Sequence, residues 1–182
     1  VENTGGGNIG LIVVDKSALV IDSGWFPRIS AELIATIEDR LGCRPEILVN
    51  THYHSDHTFG NQSFDVPIMA VEQCRELMDQ CRRTHWNREE IEKFTKDDPT
   101  MAVEWENLEI TPPTETFDEK KEFMFHGLPL VLERVGGHSP DSTMIYCAPH
   151  KIIYTGDLVF SQRYPTLLEH DGDLDGLLSA LA

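Results

Sequence analysis

The chain is short of several things, and each shortage excludes something. No apolar run among its 182 residues approaches the roughly 20 needed to cross a bilayer as a helix. Basic residues are scarce, 15 Lys and Arg against 31 Asp and Glu, for a formal net charge of −16. That balance repels phosphates, so neither nucleic acid nor an anionic membrane surface is an expected partner. Bound divalent cations would offset part of it. Cysteine is limited to Cys43, Cys74, Cys81 and Cys147, with no CxxC pair. Cys74 and Cys81 stand seven apart on a probable helix, about 10 Å along its axis and out of bridging range. All four read as small core residues or free thiols, which leans towards a reducing compartment, cytoplasmic rather than periplasmic. There is no fixed-period repeat, no low-complexity segment and no linker, so one domain over 1–182 is expected.

What is present is a globular composition, 40% hydrophobic, with alternating signals for strands and helices. "GLIVVDKSALVIDSG" predicts strands at 11–14 and 18–22 around a turn at Asp15–Lys16. A helix over 28–41 follows, with Ile29, Leu33, Ile34, Ile37 and Leu41 on one stripe and Gly42 as its stop. "EILVNT" and "VPIMA" read as buried strands, and 71–96 is helical in pattern. Residues 97–114 give no clear period. "EFMF", "LVLERV", "TMIYC" and "KIIYTGD" form a second batch of strands, and 173–181 begins an amphipathic helix. Two batches of this kind predict a layered α/β or α+β architecture with sheets covered by helices.

The densest chemistry is "THYHSDHTFG", with His52, His54, Asp56 and His57 within six positions. Bulky ionisable groups rarely crowd so tightly without a shared partner. In extended backbone, residues two apart point the same way, so His52 and His54 can converge on one ion, with Asp56 and His57 facing a neighbouring point. Imidazole and carboxylate are ligands that zinc accepts. "GGHSPDST" offers His138 beside a glycine-preceded turn, and "YTGDL" offers Asp157, a carboxylate placed to bridge two cations. "VIDSG" offers Asp22 to steady a ligand N–H. All of these lie at ends of predicted strands.

In order, "VIDSG", "THYHSDH", "GGHSP" and "YTGDL" resemble the metallo-β-lactamase superfamily of metallohydrolases, over most of the chain. The resemblance implies a four-layer αββα sandwich with the metal site at one edge of the two sheets. It implies one zinc on His52, His54 and His138, a second on Asp56 and His57, and Asp157 bridging them. It also implies a metal-bound hydroxide, aided by Asp56 or Asp157, that attacks an ester, thioester, lactone or similar carbonyl of a small-molecule substrate. "GDLVF…R.P…DGDLDGLLSAL" looks most like the SoxH-type and quinoprotein-relay-like members, and Asp157 stands where some true β-lactamases carry cysteine. An iron-dependent persulfide dioxygenase is the alternative enzyme. Members carry a further histidine in a later glycine-rich loop, so the chain is expected to be truncated at both ends, with a weak second site. A catalytically incomplete metal-binding fragment, completed by another chain, is the alternative outside enzymes, and a homo-oligomer is a further expectation. His170 is the only histidine after Asp157 and is expected to be a loop residue rather than a substitute ligand.

Three further features are expected to be ordinary. "DGDLDG" opens like a calcium loop but has Ala182 where a glutamate is wanted, so it reads as a loop and helix cap. His85, His126 and His150 read as surface residues. Trp86 and Trp105 read as packing rather than as groove lining.

Overall fold

A computed structural model describes residues 6–96, 98–167 and 171–182. Strand β1 (Gly10–Val14) pairs antiparallel with β2 (Ser17–Ile21), and Asp15 turns between them at φ 55°. Helix α1 (Pro27–Thr36) runs into a π-helical turn at Ile37–Leu41 and stops at Gly42, in the left-handed region at φ 62°. Strands β3 (Arg44–Val49), β4 (Ile68–Val71) and β5 (Glu115–Phe117) add in parallel, giving a sheet of order β1-β2-β3-β4-β5. Between β3 and β4 lies the short helix α2 (Ser55–Thr58), and between β4 and β5 lie α3 (Glu72–Thr84), α4 (Arg88–Thr95) and α5 (Pro99–Glu104). An antiparallel meander follows: β6 (Lys120–Phe125), β7 (Leu128–Arg134), β8 (Thr143–Cys147) and β9 (Ile152–Tyr154). Helix α6 (Leu174–Ala180) is last.

Period-two alternation explains the layering. On β2, Leu19 and Ile21 join Val49 and Met69 against Phe125, Leu130, Leu132 and Ile145 of the second sheet. The intervening Ala18 and Val20 face the opposite way, with Leu48 and Ile68, onto Ile37, Leu33 and Ile34. A strand buried on both faces carries no polar break, which is why β2 reads as a continuous apolar run. On β4, Ala70 and Val71 pack against Cys74 and Met78 of α3. The result is a mixed α/β sandwich, two sheets face to face with helices outside the first. Helix α6 brings the Leu177 backbone over Gly137, in the turn between β7 and β8. Among the described residues no helix is long and apolar enough to cross a membrane, and all four cysteines are free.

Two expectations are corrected. The helical stretch 71–96 is interrupted, because Asn87 caps a new helix by accepting from the Glu90 N–H at 3.1 Å. The indistinct stretch 97–114 contains α5, capped by Asp98 through the N–H groups of Thr100 and Met101. What holds this region is an aromatic cluster of Trp25, Phe59, Trp86, Phe94 and Trp105, with Trp105 at its centre and only 1% exposed. The Trp105 Nε1–H also donates to the Trp25 carbonyl at 3.3 Å. Trp105 is therefore a packing residue.

Truncating Trp105 to alanine removes the centre of that cluster, and urea unfolding is expected to show a loss of about 3–5 kcal/mol.

Candidate metal centre

The loop that leaves β3 carries Thr51 to His54, and α2 carries Asp56 and His57. His138 comes from the turn between β7 and β8, and Asp157 from a short helical turn after β9. Strand ends from both sheets thus meet at one edge. Gly156 sits at φ 51°, and a Cβ there would lie 2.8 Å from Thr51 Oγ1, so only glycine lets the Asp157 turn come this close.

Three ring nitrogens converge. His54 Nδ1 lies 3.1 Å from His52 Nε2 and 3.0 Å from His138 Nε2. Neither contact is a hydrogen bond, because the other nitrogen of each ring fixes its tautomer. Thr51 Oγ1 spends its single proton on Asp22 Oδ2 at 2.7 Å, so it accepts at 3.0 Å from the His52 Nδ1–H. The His138 Nδ1–H donates to the Thr166 carbonyl at 2.6 Å, which can only accept. The His54 Nε2–H donates to Asp171 Oδ2 at 2.8 Å. All three remaining nitrogens therefore present lone pairs to the same point. Tetrahedral ligands about 2.0–2.1 Å from zinc stand roughly 3.3 Å from each other, close to what these rings already show. Burial, with the neighbouring imidazoles adding to it, pushes His52 well below the usual histidine range. Burial also lowers His54, against the opposing pull of Asp171. Neutral imidazoles are the form that binds metal.

A second set adjoins the first. The His57 Nδ1–H donates to Asp22 Oδ2 at 2.7 Å, and its Nε2 is buried with no hydrogen-bond partner among the described residues. That nitrogen faces Asp157 Oδ1 at 3.2 Å and Asp56 Oδ2 at 3.6 Å. The second Asp157 oxygen lies 3.8 Å from His138 Nε2, so this carboxylate spans both sets. His52, His57 and Asp157 bring donor atoms within 4.8 Å of one another, as do His52, His54 and His138. With only a proton to share, burial works against a charged His57, yet the charge of Asp22 and the Asp157 and Asp22 contacts prevail and raise it well above its ordinary range. Burial raises Asp157, but its contact with His57 and the surrounding imidazoles outweigh that and keep it ionised. An orphaned imidazole nitrogen facing two carboxylates is a donor set that a divalent cation fits.

Asp22 was marked by its strand-end position, and its place is now explicit. Its backbone is left-handed at φ 62°. Its Oδ1 accepts the Thr51 N–H at 2.7 Å, and Oδ2 accepts from Thr51 and His57. Asp171 had no such signal. In "DGDLDG", Asp173 caps α6 through the Asp175 N–H at 3.1 Å, while Asp171 turns back to accept from His54 and, at 2.6 Å, from the Tyr53 hydroxyl. Asp171 and His54 are 117 residues apart, and no local pattern links them. His170 lies outside the described residues. His85, His126 and His150 are exposed, and Trp86, unlike Trp105, lines the cleft above the site.

A family model described as the metallo-beta-lactamase superfamily matches residues 3–182. Among curated proteins, the acyl-coenzyme A thioesterase MBLAC2 of Bos taurus is 24% identical over 163 residues, 84% of this chain and 58% of that protein. The match thus spans less than two thirds of that relative's length. Among solved structures, a metallo-beta-lactamase from Pontibacter korlensis superposes with a TM-score of 0.70 at 23% identity, over 94% of this chain and 69% of that one. BLEG-1 B3 metallo-beta-lactamase gives 0.71 at 19% identity, over 96% and 78%. TTHA1623, in a di-iron-bound form, gives 0.66 at 19% identity, over 96% and 79%. At these identities the structures establish the fold.

Replacing Asp171 by asparagine removes the charged acceptor that holds the His54 tautomer. Zinc affinity, measured by competition with a chromogenic chelator, is expected to fall about 10–100-fold, while Tyr53→Phe, which keeps the His54 contact, falls much less.

Proposed function

The chain belongs to the metallo-beta-lactamase superfamily, and from that premise we propose that it is a zinc-dependent hydrolase of esters, thioesters or lactones. The observation that carries this reading is the set of three imidazoles, two buried and His54 partly so, tied outward to Thr51, Asp171 and Thr166 so that three lone pairs face one point. The motif after β9 supports a reading as a SoxH-type member within that superfamily. A relative named as an acyl-coenzyme A thioesterase supports a thioester among the candidate substrates.

A divalent cation held there would lower the pKa of bound water to about 7 and polarise a carbonyl oxygen. The remaining tasks fall to side chains. Asp56 lines the cleft, and in this reading it takes the proton of the attacking water. Asp157 holds the two sets at a fixed separation, while Asp22 and Asp171 keep the imidazoles in the tautomers required. Tyr53 borders the same cleft, but its one proton is engaged by Asp171. It is not free to protonate a departing amine, which an amide requires and a thiolate does not. That favours activated acyl compounds over amides.

A second reading is oxygen chemistry on a persulfide at a single iron, since histidine–carboxylate sets with open positions also suit Fe(II). The fold neighbour in a di-iron-bound form is what favours keeping it. Elemental analysis of protein purified without added metal separates the two.

Protein loaded with zinc is expected to hydrolyse thioester and aryl ester substrates, with the first equivalent bound more tightly than the second. Asp56→Asn is expected to lower kcat by about 10²–10⁴-fold while retaining that first equivalent. Persulfide oxidation by the iron form, with no hydrolysis by the zinc form, would reverse the assignment.

A further inference from the structure

The cleft above the metal centre has a volume of about 1090 Å³, above the ~300–1,000 Å³ usual for small-ligand sites. His54, Asp56, His138 and Asp157 line it, but so does an apolar surface that the chemistry above does not use. Leu77 and Cys81 are one helical turn apart on α3, with Met78 beside them, and Phe59, Trp86 and Ile110 line the same cavity. Ile110 packs both against the aromatic cluster and against the α3–β4 cluster, so this surface is backed by two pieces of core and is largely pre-formed. None of these six side chains carries a formal charge. The segment after β9 differs, since it contributes Ser161 and the exposed Arg163, a cation suited to a polar or anionic leaving group.

We infer that the apolar arm seats the acyl chain of the substrate, so that the preferred substrates are aliphatic acyl esters or thioesters rather than acetyl ones. The inference rests on the hydrolase reading of the same site. Water supplies a hydroxyl to the acyl carbon and the C–O or C–S bond breaks. The departing alcohol or thiol takes up one proton of that water, the other is released to solvent, and the fatty carboxylate is left in the arm. Each methylene moved from water into such a surface strengthens binding by about fourfold.

Two measurements test it. In acyl series from acetyl to octanoyl on one common leaving group, kcat/KM is expected to rise two- to fourfold per methylene, and Leu77→Trp to flatten the rise. Independently of turnover, octanoate but not acetate is expected to protect Cys81, the one cleft-lining cysteine among the described residues, from N-ethylmaleimide as read by mass spectrometry. Cys81→Ser identifies the labelled thiol. Hydrolysis with rates indifferent to acyl length, together with equal labelling in octanoate and acetate, overturns the acyl arm and leaves the hydrolase standing. Protection by octanoate without hydrolysis of any ester supports the arm and removes the hydrolase reading instead.

Discussion

One buried carboxylate organises the centre. Asp22, 2% exposed, ends a central strand and receives the Thr51 N–H, the Thr51 hydroxyl and the His57 Nδ1–H. Through Thr51 it also sets the tautomer of His52, so it reaches into both histidine sets. A charge so far from water persists only because its acceptor sites are satisfied by well-aligned donors. The left-handed backbone at this position is a local strain that those three bonds hold in place. Tying β2, the loop after β3 and α2 to a single group leaves the imidazoles little freedom, which is what a preformed ligand set requires.

Around this edge the surface of the cleft is made from later additions. The sheets supply His138 and Asp157, but the cleft wall comes from α3 and from the stretch that contains α4 and α5. That stretch is held by aromatic contacts rather than by strand pairing. Trp105 stacks with Phe94 at 5.2 Å between ring centres, meets Phe59 at 5.4 Å, and thereby fixes Trp86 at the rim. The candidate metal ligands and the cleft wall are thus carried by different parts of the chain.

The strands and the first helix were legible, β2 as an unbroken apolar run bounded by turns and α1 as a stripe with a period of 3.6. Residues 97–114 were not, because one short helix followed by turns offers too few repeats for a period to emerge, and because its stability comes from distant aromatic partners. The three-residue β5 was missed for the same reason. Within the site, the residues of "THYHSDH" announced themselves by density, and Asp22 by its place at a strand end. Asp171 did not, since among several aspartates in a polar loop only the folded chain shows which one turns inward. The Thr166 carbonyl leaves no trace in a sequence at all.

By itself, then, the sequence settled the kinds of donor atom and their positions at strand ends, because the alternation of side chains is a local property of the backbone. It also marked the family through the order of four short motifs. Only the tertiary structure decided which nitrogen of each imidazole faces the centre. A histidine's tautomer is chosen by whatever bonds its other nitrogen, and for His54, His57 and His138 that partner arrives from a remote part of the chain.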